Sequence, residues 1–197
     1  MNTATNPYHQ SASAIASEET EVSAAQQDLR QFAPLYDRYY ISIFRFVFKR
    51  VESEDTAGEI TAQVFAKALA KIGQYESRGL PFSSWLFRIA RNELNLLFRS
   101  QKNQRIVSIE SVQVTELTES DSEDVKTKEQ QMEWLVEGLR ALSAEEVELI
   151  EMKYFEQRSY REIGEIVDLE EGNARVKVFR IVKKLKSIMH EMHAKKH

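Results

Sequence analysis

The chain has 197 residues, of which 42% are hydrophobic and 29% are charged, and its formal net charge at pH 7 is −4. This composition can build one or two small domains, and the lack of cysteine excludes a disulfide framework and a thiolate metal site. No stretch approaches about 18 consecutive apolar residues and the start does not resemble a signal peptide, so we expect a soluble cytoplasmic protein without membrane insertion.

Glycine and proline are few, at six and three residues, and long β-branched alternations are absent. The sequence therefore predicts an all-α protein with two small helical domains, at 28–103 and 130–190. A flexible acidic linker over 104–129 joins them, and 191–197 forms a tail. Residues 1–27 are rich in Ser, Ala, Thr and Gln and carry several acids, which predicts a disordered N-terminal arm.

The stretch FSSWLFRIARNELNLLFRS after Pro81 predicts a long amphipathic helix. Its buried stripe consists of Leu86, Ile89, Ala90, Leu94 and Leu97. Its opposite stripe consists of Arg88, Arg91, Asn92, Asn95 and Arg99, with Trp85 near the edge. Arginine, asparagine and an aromatic ring on one face can contact phosphates, hydrogen-bond base edges and stack on unpaired bases.

Three other features of this region are weaker evidence for nucleic-acid binding. A tryptophan at the start of an amphipathic helix, such as Trp85, more often belongs to the core than to a binding platform. Glu93 falls toward the apolar stripe, for which the pattern gives no reason. The preceding loop, GQYESRGLPF, could shape a pocket for a base.

The second domain contains two capping boxes, Ser143 with Glu146 and Ser159 with Glu162, each of which predicts a helix start. The short helix after Ser159 is followed by the tight connection DLEEG and then by a basic helix, an arrangement typical of a helix-turn-helix. Gly164 is expected to let another helix approach closely. Together with the helix upstream, residues 130–190 are predicted to form a four-helix domain.

The last helix concentrates positive charge, since GNARVKVFRIVKKLK at 172–186 has six bases and no acid. Val178, Ile181, Val182 and Leu185 form a narrow apolar stripe that can be buried. The remaining surface carries Arg175, Phe179, Arg180, Lys183 and Lys184. A solvated helix usually mixes acids and bases four residues apart, whereas a cationic face with an aromatic ring favours a nucleic-acid reader.

Four segments occur in the order and spacing of the sigma-70 superfamily: FAPLYDRYYISIFRFVFKRV, AGEITAQVFAKAL, FSSWLFRIARNELNLLFR and SYREIGEIVDLEEGNARVKVFRIVKKL. The chain resembles the small two-domain branch of that family, the extracytoplasmic-function (ECF) sigma factors, over about residues 28–190. The resemblance implies a promoter-specificity subunit of bacterial RNA polymerase, with region 2 at 28–103 and region 4 at 130–190. It implies no cofactor, no metal and no catalytic activity of its own.

The resemblance also implies which residues act. The −35 element would be read by Asn173, Arg175, Val176, Phe179, Arg180, Lys183 and Lys184. The −10 element would be bound by Tyr75, Trp85, Arg88, Arg91, Asn92, Asn95 and Arg99. The clamp coiled coil of core polymerase would meet Glu59, Ile60, Gln63, Val64 and Phe65. The flap region of core polymerase, promoter DNA and an anti-sigma factor are the other implied partners.

Some positions depart from the family pattern, which leaves the polymerase contacts and the promoter sequence open. Ala62 stands where Gln is common, Leu96 where Asp is common, Gly164 where Ala is common and Asn173 where Thr is common. Three other interpretations remain at this point: a stand-alone helix-turn-helix regulator, a family member that only binds partners, and an enzyme. The enzyme would use His190, His193 and His197 as metal ligands, although a solvated tail explains them more simply.

Overall fold

A computed structural model describes residues 11–51, 53–101 and 125–195. The described part of the chain contains eight α-helices and no strand, which confirms the all-α prediction. The first four are α1 (Ala12–Gln27), α2 (Ala33–Val51), α3 (Glu54–Lys71) and α4 (Phe82–Gln101). The second four are α5 (Val125–Arg140), α6 (Ala144–Ile150), α7 (Tyr160–Val167) and α8 (Glu171–Lys195). Among these helices none is both long and apolar enough to cross a membrane.

The core of the first domain forms where α2, α3 and α4 pack on one another. The apolar stripe predicted for α4 is confirmed, since Leu86, Ala90 and Leu94 are fully buried and the other two members are partly buried. Glu93 lies on this side because it pairs across to α3, with its Oε2 2.6 Å from the Lys67 ammonium. A buried carboxylate needs such a partner, so the polar residue on the apolar stripe is explained.

The prediction of a disordered arm is wrong for residues 12–27, because these residues form helix α1. Ser11 caps the helix by accepting a hydrogen bond from the Ala14 amide. Val22 and Ala25 are buried in the core of the first domain, and Glu18 is buried among polar partners. Residues 1–10 of the predicted arm lie outside the described residues.

A loop leads from α3 to α4 and lies beside α1. A 3₁₀ turn over Ile72–Gln74 follows α3, and irregular backbone then runs to Pro81. Gly79 adopts a φ of 65°, a left-handed conformation that suits glycine. The loop therefore turns sharply before α4 begins at Phe82.

The second domain is a four-helix unit, as predicted. Both capping boxes are present, and in each the serine hydroxyl and the glutamate carboxylate exchange bonds with the opposite backbone amide. A π-helical turn over Glu151–Phe155 extends α6. The buried stripe of α8 is also confirmed: Val178, Ile181 and Leu185 are buried and Val182 is partly buried.

The turn of the helix-turn-helix is tight, and Gly164 makes it possible. The chain leaves α7 through Asp168, which has a φ of 60°, and the Leu169 amide donates to the Gly164 carbonyl at 2.9 Å. A Cβ on Gly164 would lie 2.5 Å from the Leu169 carbonyl oxygen. The close neighbours are thus the backbone of the turn and, at 3.5 Å, the Glu171 nitrogen where α8 begins, so this glycine lets the turn and the start of the next helix approach closely.

The predicted acidic linker at 104–129 lies outside the described residues as far as residue 124. Its last five residues, 125–129, belong to α5, so the predicted boundary of the second domain at residue 130 is wrong.

Candidate nucleic-acid interface

The exposed surface of α8 forms what we call the recognition face, made of Asn173, Arg175, Val176, Phe179, Arg180, Lys183 and Lys184. Phe179 is 67% exposed and Val176 is 47% exposed. Large apolar side chains that project from a basic surface are typical of a binding site rather than of a solvated helix. The structure therefore brings together all seven residues predicted for the −35 element.

Two cations of the recognition face already have contacts within the domain. The Arg175 guanidinium lies 5.3 Å from the centre of the Tyr160 ring and 3.3 Å from the Glu171 carboxylate one turn earlier. The Lys184 ammonium lies 2.9 Å from both carboxylate oxygens of Glu146. Burial raises the pKa of Glu146, but Lys184 and the Ser143 amide outweigh burial and hold that pKa below its ordinary value.

On α4, the face predicted for the −10 element divides into an open part and a paired part. Asn92 and Arg99 are exposed, and Asn95 is half-buried. Arg88 and Arg91 instead point toward the second domain, where each meets a carboxylate. Only the open part can meet DNA without a rearrangement of the chain.

A cleft lies where the loop before α4 meets the first turn of that helix. Its lining includes Tyr75, Arg78, Pro81, Ser84, Trp85 and Glu165. The Ser84 hydroxyl is buried and makes no hydrogen bond within the described residues. A buried polar atom without a partner is costly, so this hydroxyl favours a ligand that can supply a hydrogen bond.

Aromatic rings form one wall of the cleft. The Tyr75 ring packs on Phe82 and Trp85, with centroid distances of 5.1 and 5.0 Å. Burial, together with the nearby carboxylates Glu18 and Glu165, raises the pKa of Tyr75 to about 12. Trp85 is only 8% exposed, which corrects its expected place at the edge of the open stripe.

Glu165 of α7 closes one side of the cleft. Its carboxylate lies 2.8 Å from the Arg88 guanidinium and 3.2 Å from that of Arg78. Arg161 of the same helix donates a hydrogen bond to the Arg78 carbonyl. The helix-turn-helix thus covers part of the surface predicted to bind the −10 element.

A second set of ion pairs joins the two domains, between α6 of the second domain and helices α2 and α4 of the first. Glu148 of α6 is 2% exposed; one oxygen lies 3.0 Å from Arg91, and the other lies 3.9 Å from Arg50. Arg50 also meets Glu151 at 3.1 Å. Burial raises the pKa of Glu151 above its ordinary value, even though Arg50 acts in the opposite direction. We call these four residues the interdomain ion cluster.

Arg158 adds a cation–π contact to the same boundary. It is 1% exposed, and its guanidinium lies 4.1 Å from the centre of the Phe87 ring on α4. Cations prefer the faces of aromatic rings, most strongly when both are desolvated. None of these interdomain contacts was predicted from the sequence.

The helix expected to meet polymerase requires a correction. Ile60, Val64 and Phe65 of α3 are at most 4% exposed and belong to the core, so their side chains cannot contact a partner. Glu59 and Gln63 are exposed one turn apart on the same face. Only these two retain the predicted role.

The histidine set considered as metal ligands lies only partly within the described residues. His190 is exposed near the end of α8, and His197 lies outside the described residues. The part of the chain that the structure describes contains no group of three or more potential metal ligands.

The described part of the chain is helical, with a basic helix-turn-helix on one domain and an aromatic cleft on the other, an arrangement typical of a two-domain nucleic-acid-binding protein. Residues 35–104 match the family described as Sigma-70 region 2, and residues 132–185 match Sigma-70, region 4. The chain therefore belongs to the sigma-70 family of promoter-recognition subunits of RNA polymerase, in its ECF branch.

Curated relatives agree with this assignment. The chain is 27% identical over 158 residues to the ECF RNA polymerase sigma factor BldN of Streptomyces coelicolor, a match that covers 80% of this chain and 60% of BldN. It is 26% identical to the sigma factor YlaC of Bacillus subtilis, with 68% of this chain and 77% of YlaC covered. It is 22% identical to the ECF sigma factor SigM of the same organism, with 78% and 92% covered.

Solved structures with the same fold include CnrH in complex with the cytosolic domain of CnrY. That comparison gives a TM-score of 0.54 at 16% identity and covers 87% of this chain and 96% of CnrH. The sigma factor RpoE of Bartonella quintana, in complex with the anti-sigma factor NepR, gives a TM-score of 0.52 at 23% identity, with 82% and 98% covered. At these identities the likeness concerns the fold alone.

Proposed function

We propose that this chain joins core RNA polymerase and directs it to promoters by binding a −35 element with α8 and a −10 element with α4 and the cleft. The observation that carries the proposal is the presence of two different nucleic-acid surfaces on two linked domains. The recognition face suits duplex DNA, because a helix with basic and apolar side chains fits the major groove. The cleft is small in this arrangement, with a cavity volume of about 10 Å³, so an unpaired base would enter only once Glu165 withdraws with the second domain. Its aromatic wall could then stack on the face of that base, a face that is covered in a duplex.

The cleft offers a displaced base both kinds of contact that it needs. Tyr75 and Trp85 line the cleft and provide an aromatic wall, and Ser84 provides a hydroxyl that can donate or accept. Asn92 lies exposed about two turns further along the same helix, with an amide that can pair with a base edge. Unstacking a base requires a few kcal/mol, which these contacts would offset.

Core polymerase would supply what the free chain lacks. Arg88 and Arg91 must exchange Glu165 and Glu148 for phosphates before the −10 face is complete. Docking of α3 on the clamp coiled coil through Glu59 and Gln63, and of the second domain on the flap, would hold the domains apart. Two modest DNA contacts then act together, as joined binding modules do.

The partners of the solved relatives suggest one more. CnrH is bound to the cytosolic domain of CnrY, and RpoE is bound to the anti-sigma factor NepR. We therefore include an anti-sigma factor among the partners of this chain. We also propose that core polymerase carries out the chemistry of RNA synthesis. The chain would act together with it in the cytoplasm.

The test is run-off transcription with core polymerase, combined with binding of the free chain to the same promoter DNA. We expect specific transcripts with core enzyme and weak, salt-sensitive binding by the free chain. Tight sequence-specific binding without polymerase, and no transcript with it, would instead identify a stand-alone regulator.

Within the holoenzyme, Asn92→Ala is expected to lower promoter opening or to change the preferred −10 base. The side chain is exposed, so the free energy of unfolding and the affinity for polymerase should stay close to those of the parent. Permanganate footprinting on a linear promoter measures opening, and a pre-melted template is the control. Opening of duplex DNA at the parental rate, with unchanged base preference, would reduce this face to a phosphate contact.

A further inference from the structure

Helix α1 precedes the residues that match region 2, which begin at residue 35, yet it contacts the loop that forms the cleft. Glu18 of α1 is 3% exposed and accepts a hydrogen bond from the Phe82 amide at 2.7 Å. Phe82 is the first residue of α4, so the carboxylate satisfies an amide that has no partner within the helix. Glu18 thereby fixes the point where the loop ends.

Glu18 is itself held in place from α2. Its other oxygen accepts from the Tyr39 hydroxyl, and the Arg38 guanidinium lies 3.5 Å away. Arg38 also pairs with Glu21 of α1 at 2.8 Å. A buried carboxylate with three such partners has little freedom to move, so α1 has one position relative to the start of α4.

Gln26 of α1 holds the other end of the loop. Its side-chain amide donates to the Ile72 carbonyl at 3.0 Å and to the Tyr75 carbonyl at 2.8 Å. Between these ends, Glu19 accepts a hydrogen bond from the Ser77 hydroxyl. One helix therefore contacts the loop at its beginning, its middle and its end.

The contact with Tyr75 bears directly on the cleft. Tyr75 contributes an aromatic wall and packs edge-on against Phe82 and at a tilt against Trp85. Its carbonyl and its ring belong to one residue in irregular backbone, so removal of the hydrogen bond from Gln26 would let the ring shift. A wall displaced by about 1 Å presents a different shape to a bound base.

We propose that α1 positions the wall of the base-binding cleft through Gln26 and Glu18, and so contributes to the base preference at the −10 element. Only the last step of this inference, the effect on base preference, rests on the proposed function. Gln26 and Glu18 act as positioning residues, since neither lines the cleft itself.

The first experiment uses the free full-length chain and needs no promoter. Hydrogen exchange of the backbone amides at 75–82 is compared between the parent, Gln26→Ala and Gln26→Glu, with Gln27→Ala and Gln27→Glu as matched controls at the next, exposed position of α1. Removal of each hydrogen bond of ordinary strength should speed local exchange by about fivefold. We expect faster exchange in both Gln26 variants and parental exchange in both Gln27 variants.

Gln26 is exposed, so its variants should fold, and thermal unfolding checks that they do. Glu18→Gln is the second variant: it retains an oxygen that can accept from the Phe82 amide but lacks the charge that faces Arg38. It is expected to speed exchange at 75–82 less than the Gln26 variants do. Equal exchange in the Gln26 and Gln27 variants would overturn the inference.

The second experiment uses the holoenzyme and measures opening on promoters that differ at single −10 bases. The ratio between the best and second-best base should change by about threefold or more in Gln26→Ala and stay parental in Gln27→Ala. Binding to the −35 element should not change in either variant. Faster loop exchange with an unchanged base ratio would show that α1 only stabilises the fold, and would overturn the inference. A parent holoenzyme that makes no specific transcript would contradict the proposed function, whereas the exchange result on the free chain would stand.

Discussion

Glu148→Ala is expected to lower the free energy of unfolding by about 3 kcal/mol or more, because it leaves buried cations without their carboxylate. Glu148 is 2% exposed and contacts Arg91 and Arg50, of which Arg50 is almost fully buried. Arg50 would still have Glu151, but that carboxyl is itself partly desolvated. Urea denaturation followed by circular dichroism measures the change.

Glu145→Ala is the matched control for this prediction, since Glu145 is an exposed glutamate on the same helix. It should alter the free energy of unfolding by no more than about 0.5 kcal/mol. Glu148→Ala should also speed hydrogen exchange around Arg91 in α4, because the ion pair that it removes spans the two domains. If the two variants were equally stable, the interdomain ion cluster would have no net stabilising effect.

Arg175→Ala is expected to reduce discrimination among −35 sequences by about 1–3 kcal/mol, or roughly 5- to 150-fold, if the guanidinium pairs with a base edge. Its exposed pair with Glu171 contributes little and should be readily exchanged for DNA. The preference is measured with holoenzyme on promoters that carry single −35 substitutions.

Lys184→Ala is the comparison, because Lys184 lies further along α8 and is expected to bind a phosphate. It should weaken binding to all promoters similarly, and the slope of log affinity against log salt should become shallower by about 0.9 for the one phosphate that is no longer neutralised. The pair with Glu146 makes this effect smaller than for a free lysine, since the parent must give up that pair. Equal effects of both substitutions across all promoters would contradict the division between base reading and phosphate binding.

Local patterns predicted much of the fold. The capping boxes at Ser143 and Ser159 and the apolar stripes of α4 and α8 are set by spacings of three and four residues, which can be read directly from the sequence. The same spacing could have identified Ile60 and Val64 as core residues. The resemblance to the family concerns the whole motif and does not distinguish the buried face of α3 from its exposed face, which is why it implied polymerase contacts for Ile60 and Val64.

The features that the sequence did not predict depend on contacts between distant residues. Helix α1 buries only a small apolar patch, and polar contacts such as that of Gln26 with Ile72, 46 residues away, hold it in place. A segment of that composition is indistinguishable from a disordered arm by pattern alone. The ion pairs of Arg91 with Glu148 and of Arg78 with Glu165 likewise join residues far apart in the chain.

The pairing of Arg78 and Arg88 with Glu165 has a consequence for ionic strength. Added salt weakens attraction between opposite charges at the surface, whether the anion is a carboxylate of the same chain or a phosphate of DNA. For these two arginines, added salt has two opposite effects on DNA binding. It weakens their ion pairs with Glu165, which frees them for DNA, and it also weakens their attraction to DNA phosphates, so the two effects partly cancel. Arg180 on the recognition face experiences only the second effect, whereas Arg175 and Lys184 pair with Glu171 and Glu146 and so experience both. Rising salt should thus weaken the DNA contact of Arg180 more steeply than that of Arg88, so that the balance among the individual contacts shifts with ionic strength alone.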